Sequence, residues 1–280
     1  MNFLAFVIAL ALRQLWGAEV WLHRDHWWQD WRQRAIGLGL LPWVQMVLTV
    51  GLPLLLALLV LDLLRPVLFG LPWIVAAALV LLYAFGRGDF HARIARYRDF
   101  CERDNSEGAW LYLREELHAG DPQEVDPGLE PEQLHDQLQA SLYYDDFQRW
   151  FAVVFWFVLL GPVAALGYRL LQLYREAEGG EGPAVIVLFL LDWVPLRLLL
   201  VTFTLAGDFV RSRDELVAAL VDPWADSQGL LLAVGSAAAG AGPETSASRQ
   251  AAAEVTALAG LMTRSGVVWV VLIAVLAIFA

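Results

Sequence analysis

Lysine is absent from this chain and cysteine nearly so. Every one of the 19 basic side chains is an arginine. None of them can shed its charge on burial, so each buried one must be paired or wet. Cys101 stands alone, which excludes an internal disulfide and a metal site built from two thiolates. Bases are also outnumbered, 30 acids against 19 for a formal net charge of −11, and this excludes the basic stripe that nucleic-acid binding requires. Strand alternation, a phosphate loop, a dinucleotide glycine pattern and HExxH are all missing. Apolar residues are abundant instead: 59% of 280 residues are hydrophobic and the mean hydropathy is +0.54. A soluble domain sits nearer half. The composition therefore places the chain in a lipid bilayer, and the expected fold is all-α and polytopic.

Helical crossing of about 30 Å of hydrocarbon takes roughly 20 apolar residues. Four runs qualify, Leu38 to Leu61, Pro66 to Phe85, Trp150 to Tyr168 and Pro183 to Ala206, and a fifth, Gly266 to Ala280, reads as a terminal span. The opening MNFLAFVIALAL is too short to cross before Arg13 and reads as a retained half-span or packing helix. The expected organisation is an N-terminal helix with a tryptophan-rich interfacial segment (1–37), a transmembrane hairpin (38–86), a helical insert (87–149), a second hairpin (150–206), a helix with a flexible linker (207–264) and a terminal transmembrane helix (265–280). The linker falls on GSAAAGAGPETSAS, which is small, polar and aperiodic. In the insert, GDFHARIARYRDFCERD, GAWLYLREELHAG and PEQLHDQLQASL carry helical periodicity, with Leu134, Leu138 and Leu142 on one stripe.

Arginine placement sets orientation. If the spans form hairpins, one side holds 15 arginines and the other only Arg65, Arg169 and Arg175. This predicts a cytoplasmic N-terminal segment, insert and 207–264 region, with thin outer loops at Asp62 to Arg65 and Gln172 to Gly182.

Portable enzyme motifs are lacking, so the candidate residues are those whose placement is costly. AEVWLHRDHWWQDWRQR suits an interfacial helix. His23 and His26 lie three apart on one face of it, but a zinc site needs at least three protein ligands and no third is near, so no metal and no cofactor is expected. Asp145 and Asp146 precede the third apolar run and read either as solvated boundary acids or as a ligand or relay pair. The sharpest signal is VLFLLDWVPLRLLLVTF, where Asp192, Pro195 and Arg197 interrupt a run otherwise made for lipid. An ionisable group near the bilayer centre costs about 2.5 to 3.5 kcal/mol and marks function or an obligatory pairing. Asp192 and Arg197 are ligand-binding or relay candidates. Pro195 and Trp193 read as structural. The expected partner of Arg197 is a carboxylate, Asp192 first and Asp145 or Asp146 next.

LDWVPLRL, with FAVVFWFVLLGPVAALGYRLL before it, resembles the AmpE family of bacterial inner-membrane proteins, and the resemblance runs over essentially the whole chain. That family is encoded beside the amidase AmpD, which recycles anhydro-muropeptides, and is described as a membrane component of β-lactamase induction. The resemblance implies an inner-membrane accessory or signalling role, with the bilayer, a cell-wall-recycling metabolite or a membrane protein as partner. AmpE is in turn similar to the cobinamide-phosphate synthases CobD and CbiB, which implies an alternative as a membrane enzyme of that type. Their motif LDDxxNWxPARL meets Leu188 and Phe189 here in place of the acid pair, and Asp192 in place of the asparagine. Their ESxxEN motif and following aspartate meet SLYYDDFQ, with Tyr144, Asp145 and Gln148 at the altered positions. Tyrosine and glutamine supply no carboxylate, so the acidic site of those enzymes is not reproduced.

Overall fold

The computed structural model describes residues 2–16, 25–86, 89–103, 105, 107, 108, 111, 112, 131–240 and 247–279. Its regular structure is helical, as the sequence implies, and the chain forms two compact units: Met1–Gly88 with Ala152–Leu191, and Asp89–Phe151 with Asp192–Ala280. Among the described residues four helical stretches are long and apolar enough to cross a membrane: Pro42–Leu64, Val67–Ala84, Pro183–Ala206 and Arg249–Phe279. Three match expected spans. The fourth is the expected terminal span, carried by a helix that begins well before Gly266, at Ala247. The expected span from Trp150 to Tyr168 is not a single helix.

In the first unit, α1 (Asn2–Trp16) lays Ala5, Phe6 and Ala9 against α4 (Leu71–Ala84). α2 (His26–Ile36) leads to α3 (Pro42–Leu64), whose exposed Leu52, Leu55, Leu56, Leu59 and Leu63 present the broad apolar surface that lipid covers. A tight turn through Val67–Gly70, with Leu68 and Phe69 at φ 44° and 58°, joins α3 to α4. The interruption of the expected third span follows from GP at positions 161 and 162. Gly161 sits at φ 89°, ψ −171°, a region essentially closed to other residues, and Pro162 opens the next helix. The chain turns there, and α7 (Val153–Leu160) packs on α8 (Pro162–Ala177) as a hairpin. Buried from Ala165 to Tyr174, α8 is the centre of the unit and also contacts α3 and α4.

One end of this unit is pinned by charge. The Tyr83 hydroxyl donates to Asp25 Oδ1 at 2.9 Å, Arg169 approaches Asp25 Oδ2 at 3.8 Å, and Arg32 pairs with Glu178. The segment Gln172 to Gly182, expected on the opposite face, therefore lies at the same end as Asp25 and Tyr83. Arg169 is drawn there by the acid and buried there. In the tryptophan-rich segment Trp27 is exposed, whereas Trp28 is buried and Trp31 donates to the Thr49 carbonyl at 3.2 Å, so part of the expected interfacial anchor is core. His26 is exposed, while His23, like most of the predicted helix over 108–120, lies outside the described residues.

In the second unit, α5 (Phe90–Glu102), capped by Asp89, packs on α12 (Ala247–Phe279). α6 (Pro131–Asp146) buries Leu138 and Leu142 and runs through a π-helical turn at Phe147–Ala152. The part of α9 (Pro183–Ala206) from Asp192 onward belongs here, followed by α10 (Phe209–Val221) and α11 (Ser227–Ala239). Asp208 and Asp226 cap those last two helices through their carboxylates. The expected flexible linker is partly wrong. Gly235 to Ala239 finish α11, positions 247 and 248 open α12, and 241–246 lie outside the described residues. Alanine-rich sequence has high helix propensity, and here it also packs: α11 contacts α6, α10 and α12.

Candidate functional site

Asp192 is completely buried, and its carboxylate is held by two side chains of another helix. The Tyr144 hydroxyl donates to Oδ2 at 2.7 Å, and Gln148 Nε2 donates to the same oxygen at 2.6 Å. Gln148 Nε2 also lies 3.0 Å from the Tyr144 hydroxyl, closing a three-membered polar node inside the second unit. Tyr144 and Gln148 are one helical turn apart, so α6 and the start of the π turn present both donors on one face. Hydrogen bonding to the charged form is what makes a buried carboxylate tolerable.

Asp145 points elsewhere. Arg93 Nη1 reaches its Oδ2 at 2.5 Å and Arg149 Nε its Oδ1 at 2.8 Å. Burial works to raise its pKa, but the two guanidinium groups overcome that and hold it down at about 2. Asp146 is half-buried at the end of α6. Burial, with the Asp146 charge nearby, pushes the Tyr143 phenol well above its usual pKa, and this hydroxyl donates to the Val255 carbonyl at 2.5 Å.

Arg197 is 6% exposed, and it corrects the expectation of a carboxylate partner. Its Nη2 donates to the Asp222 backbone carbonyl at 2.9 Å and its Nη1 to the Trp193 carbonyl at 3.3 Å, while its guanidinium carbon lies 4.1 Å from the Trp193 ring centroid. Trp193 Nε1 in turn donates to the Pro223 carbonyl at 3.2 Å. The helix stays continuous through Pro195, so the five-residue separation keeps Asp192 and Arg197 on different faces. One faces α6. The other, stacked on tryptophan, grips the turn between α10 and α11.

The sequence profile described as "Regulatory signalling modulator protein AmpE" matches residues 1–280. The chain belongs to the AmpE family. Protein AmpE of Shigella flexneri is 26% identical over 180 residues, a match covering 59% of this chain and 61% of that protein, so the chain spans less than two thirds of that relative. No solved structure matches. With AmpE membership shown by the profile and, among the described residues, four helices of spanning length and composition, this is a membrane protein of a regulatory signalling family.

Within this AmpE fold, three positions that depart from the synthase-like motifs, Tyr144, Gln148 and Asp192, come together in one node. Asp192 is brought to neither Asp145 nor Arg197. Sequence reasoning passed over Arg93, although it stands on the apolar stripe of Phe90, Ile94 and Tyr97, where a charge signals a buried partner. It also missed Asp222 and Pro223, which contribute only backbone carbonyls and leave no trace in side-chain chemistry.

Proposed function

We propose that this protein is an inner-membrane modulator that couples the state of cell-wall recycling to β-lactamase induction, with the N-terminal segment and the 87–149 insert on the cytoplasmic side. Membership of the AmpE family along the full chain carries this reading. The arginine distribution supports the orientation, and burial of Arg169 beside Asp25 adds another arginine to the end that bears the N-terminal segment. In this reading Asp192 with Tyr144 and Gln148, and Asp145 with Arg93 and Arg149, hold the signalling unit in one state. The Trp193 and Arg197 grip on the 222–223 turn links α9 to the polar helices. Deleting the gene and measuring β-lactamase activity with and without a β-lactam inducer tests the reading. A changed ratio, restored by the intact gene, is expected; an unchanged ratio rejects it.

A further inference from the structure

A polar cavity of about 380 Å³ opens in the second unit, away from the Asp192 node, and falls in the size range of small-molecule sites. Its polar lining comes from Asp136 and Gln139 of α6, Arg211 of α10, Ser236 of α11 and Gln250 and Glu254 of α12. The charges are of both signs. Arg211 is exposed and has no acid within ion-pair distance among the described residues, whereas Glu254 accepts a hydrogen bond from Gln250 Nε2 at 2.7 Å. Gln139 is the most telling member: it is 1% exposed, and of its two amide N–H groups at most one is engaged, by the Tyr143 hydroxyl on the next turn of α6. A buried donor of this kind is rarely left unmade in a folded protein.

A bare cation would answer the two acids but meet Arg211 and leave the Gln139 amide unused. A simple anion would answer Arg211 and Gln139 but meet Asp136 and Glu254. One chemical class satisfies all four. We propose that this cavity binds a small zwitterion, an amino acid or dipeptide, with its carboxylate received by Arg211 and Gln139 and its ammonium by Asp136 and Glu254. Ser236, Ala237 and Ala239, from the last turn of α11 and so the negative end of that helix, line the same cavity and suit the ammonium. As the input of a signalling protein the site rests on the reading above, whereas binding itself is measured separately.

The test uses the full-length protein in lipid nanodiscs, with alanine, glycylglycine and alanylalanine as probes, together with N-acetyl and C-amide alanylalanine, followed by calorimetry or ligand-observed NMR. Saturable binding of at least one free zwitterion is expected, with each blocked form and the variants Arg211→Gln and Glu254→Gln about tenfold weaker or worse. Both substituted side chains are partly exposed, so both variants are expected to fold, and their melting temperatures verify it. Gln139→Met, which keeps the volume and removes the amide, should weaken binding likewise. If no probe binds saturably, or if blocked probes and folded variants bind as well as the originals, the proposal fails. The deletion phenotype is independent of this result, so such a failure would leave the signalling reading standing.

Discussion

Asp192 and Arg197 share a helix but not an environment, and their energetics should separate accordingly. Replacing Tyr144 by phenylalanine removes one donor from a buried charge, which costs on the order of 1 to 3 kcal/mol. In a double-mutant cycle measured by unfolding in mixed detergent, Tyr144→Phe and Asp192→Leu should couple strongly, since each strips the other of its partner. Asp192→Leu and Arg197→Met should instead combine to within about 0.5 kcal/mol of the sum, because Arg197 is spent on main-chain carbonyls and the Trp193 ring. Strong coupling in this second cycle would restore the direct pair. Asp145 makes a pH prediction. Its folded pKa of about 2 lies below the ordinary 3.8. Its ion pairs therefore contribute fully above about pH 4 and are lost as the pH falls toward 2, a contribution on the order of 2 kcal/mol. Asp145→Asn should flatten stability over that acid range while leaving its slope near neutral pH unchanged. An acid limb as steep as the parent's would show that the Arg93 and Arg149 contacts do not set it.

At the scale of elements, apolar length located the helices better than it located their breaks. Pro42–Leu64 and Pro183–Ala206 were legible because a long lipid-facing run has few other readings. The 150–168 run misled for a local reason: its hydropathy is continuous, while its backbone turns at one residue. The Gly161-Pro162 pair was the available clue, since glycine before proline punctuates a helix. The 235–248 stretch misled in the opposite direction, because alanine and glycine read as a linker when packing is unseen. Gly235 lies where α11 comes close to α12, and a methyl group there would sit 2.7 Å from Leu258 Cδ1. Among the candidate residues, sequence cost arguments found Asp192 and Arg197 as buried charges but could not assign their partners, since partnership depends on which helix faces which. The hairpin makes its own prediction. Gly161→Ala must hold a side chain at φ 89° and should lose about 1 to 3 kcal/mol, read as a lower melting temperature in detergent. A melting temperature equal to the parent's would mean that the hairpin turn is not held there.

For the molecule as a whole, the proposed reading is a polytopic protein whose N-terminal segment and 87–149 insert face the cytoplasm. The first unit makes this sharper than loop counting did. Asp25, Tyr83, Arg169 and Glu178 meet at one end, so Gly180 moves to the same side as the N-terminal segment, while the α3 to α4 turn beyond Leu63 marks the other side. Thiol labelling is clean here because Cys101 is the sole cysteine and can be removed as Cys101→Ser. The decisive measurement is labelling of single cysteines in that background, at Leu63→Cys, Asp121→Cys and Gly180→Cys, with a maleimide that cannot cross the inner membrane. The account predicts that Leu63→Cys labels in intact cells and that Asp121→Cys and Gly180→Cys label only after permeabilisation. Labelling of Asp121→Cys in intact cells would place the insert outside and contradict it.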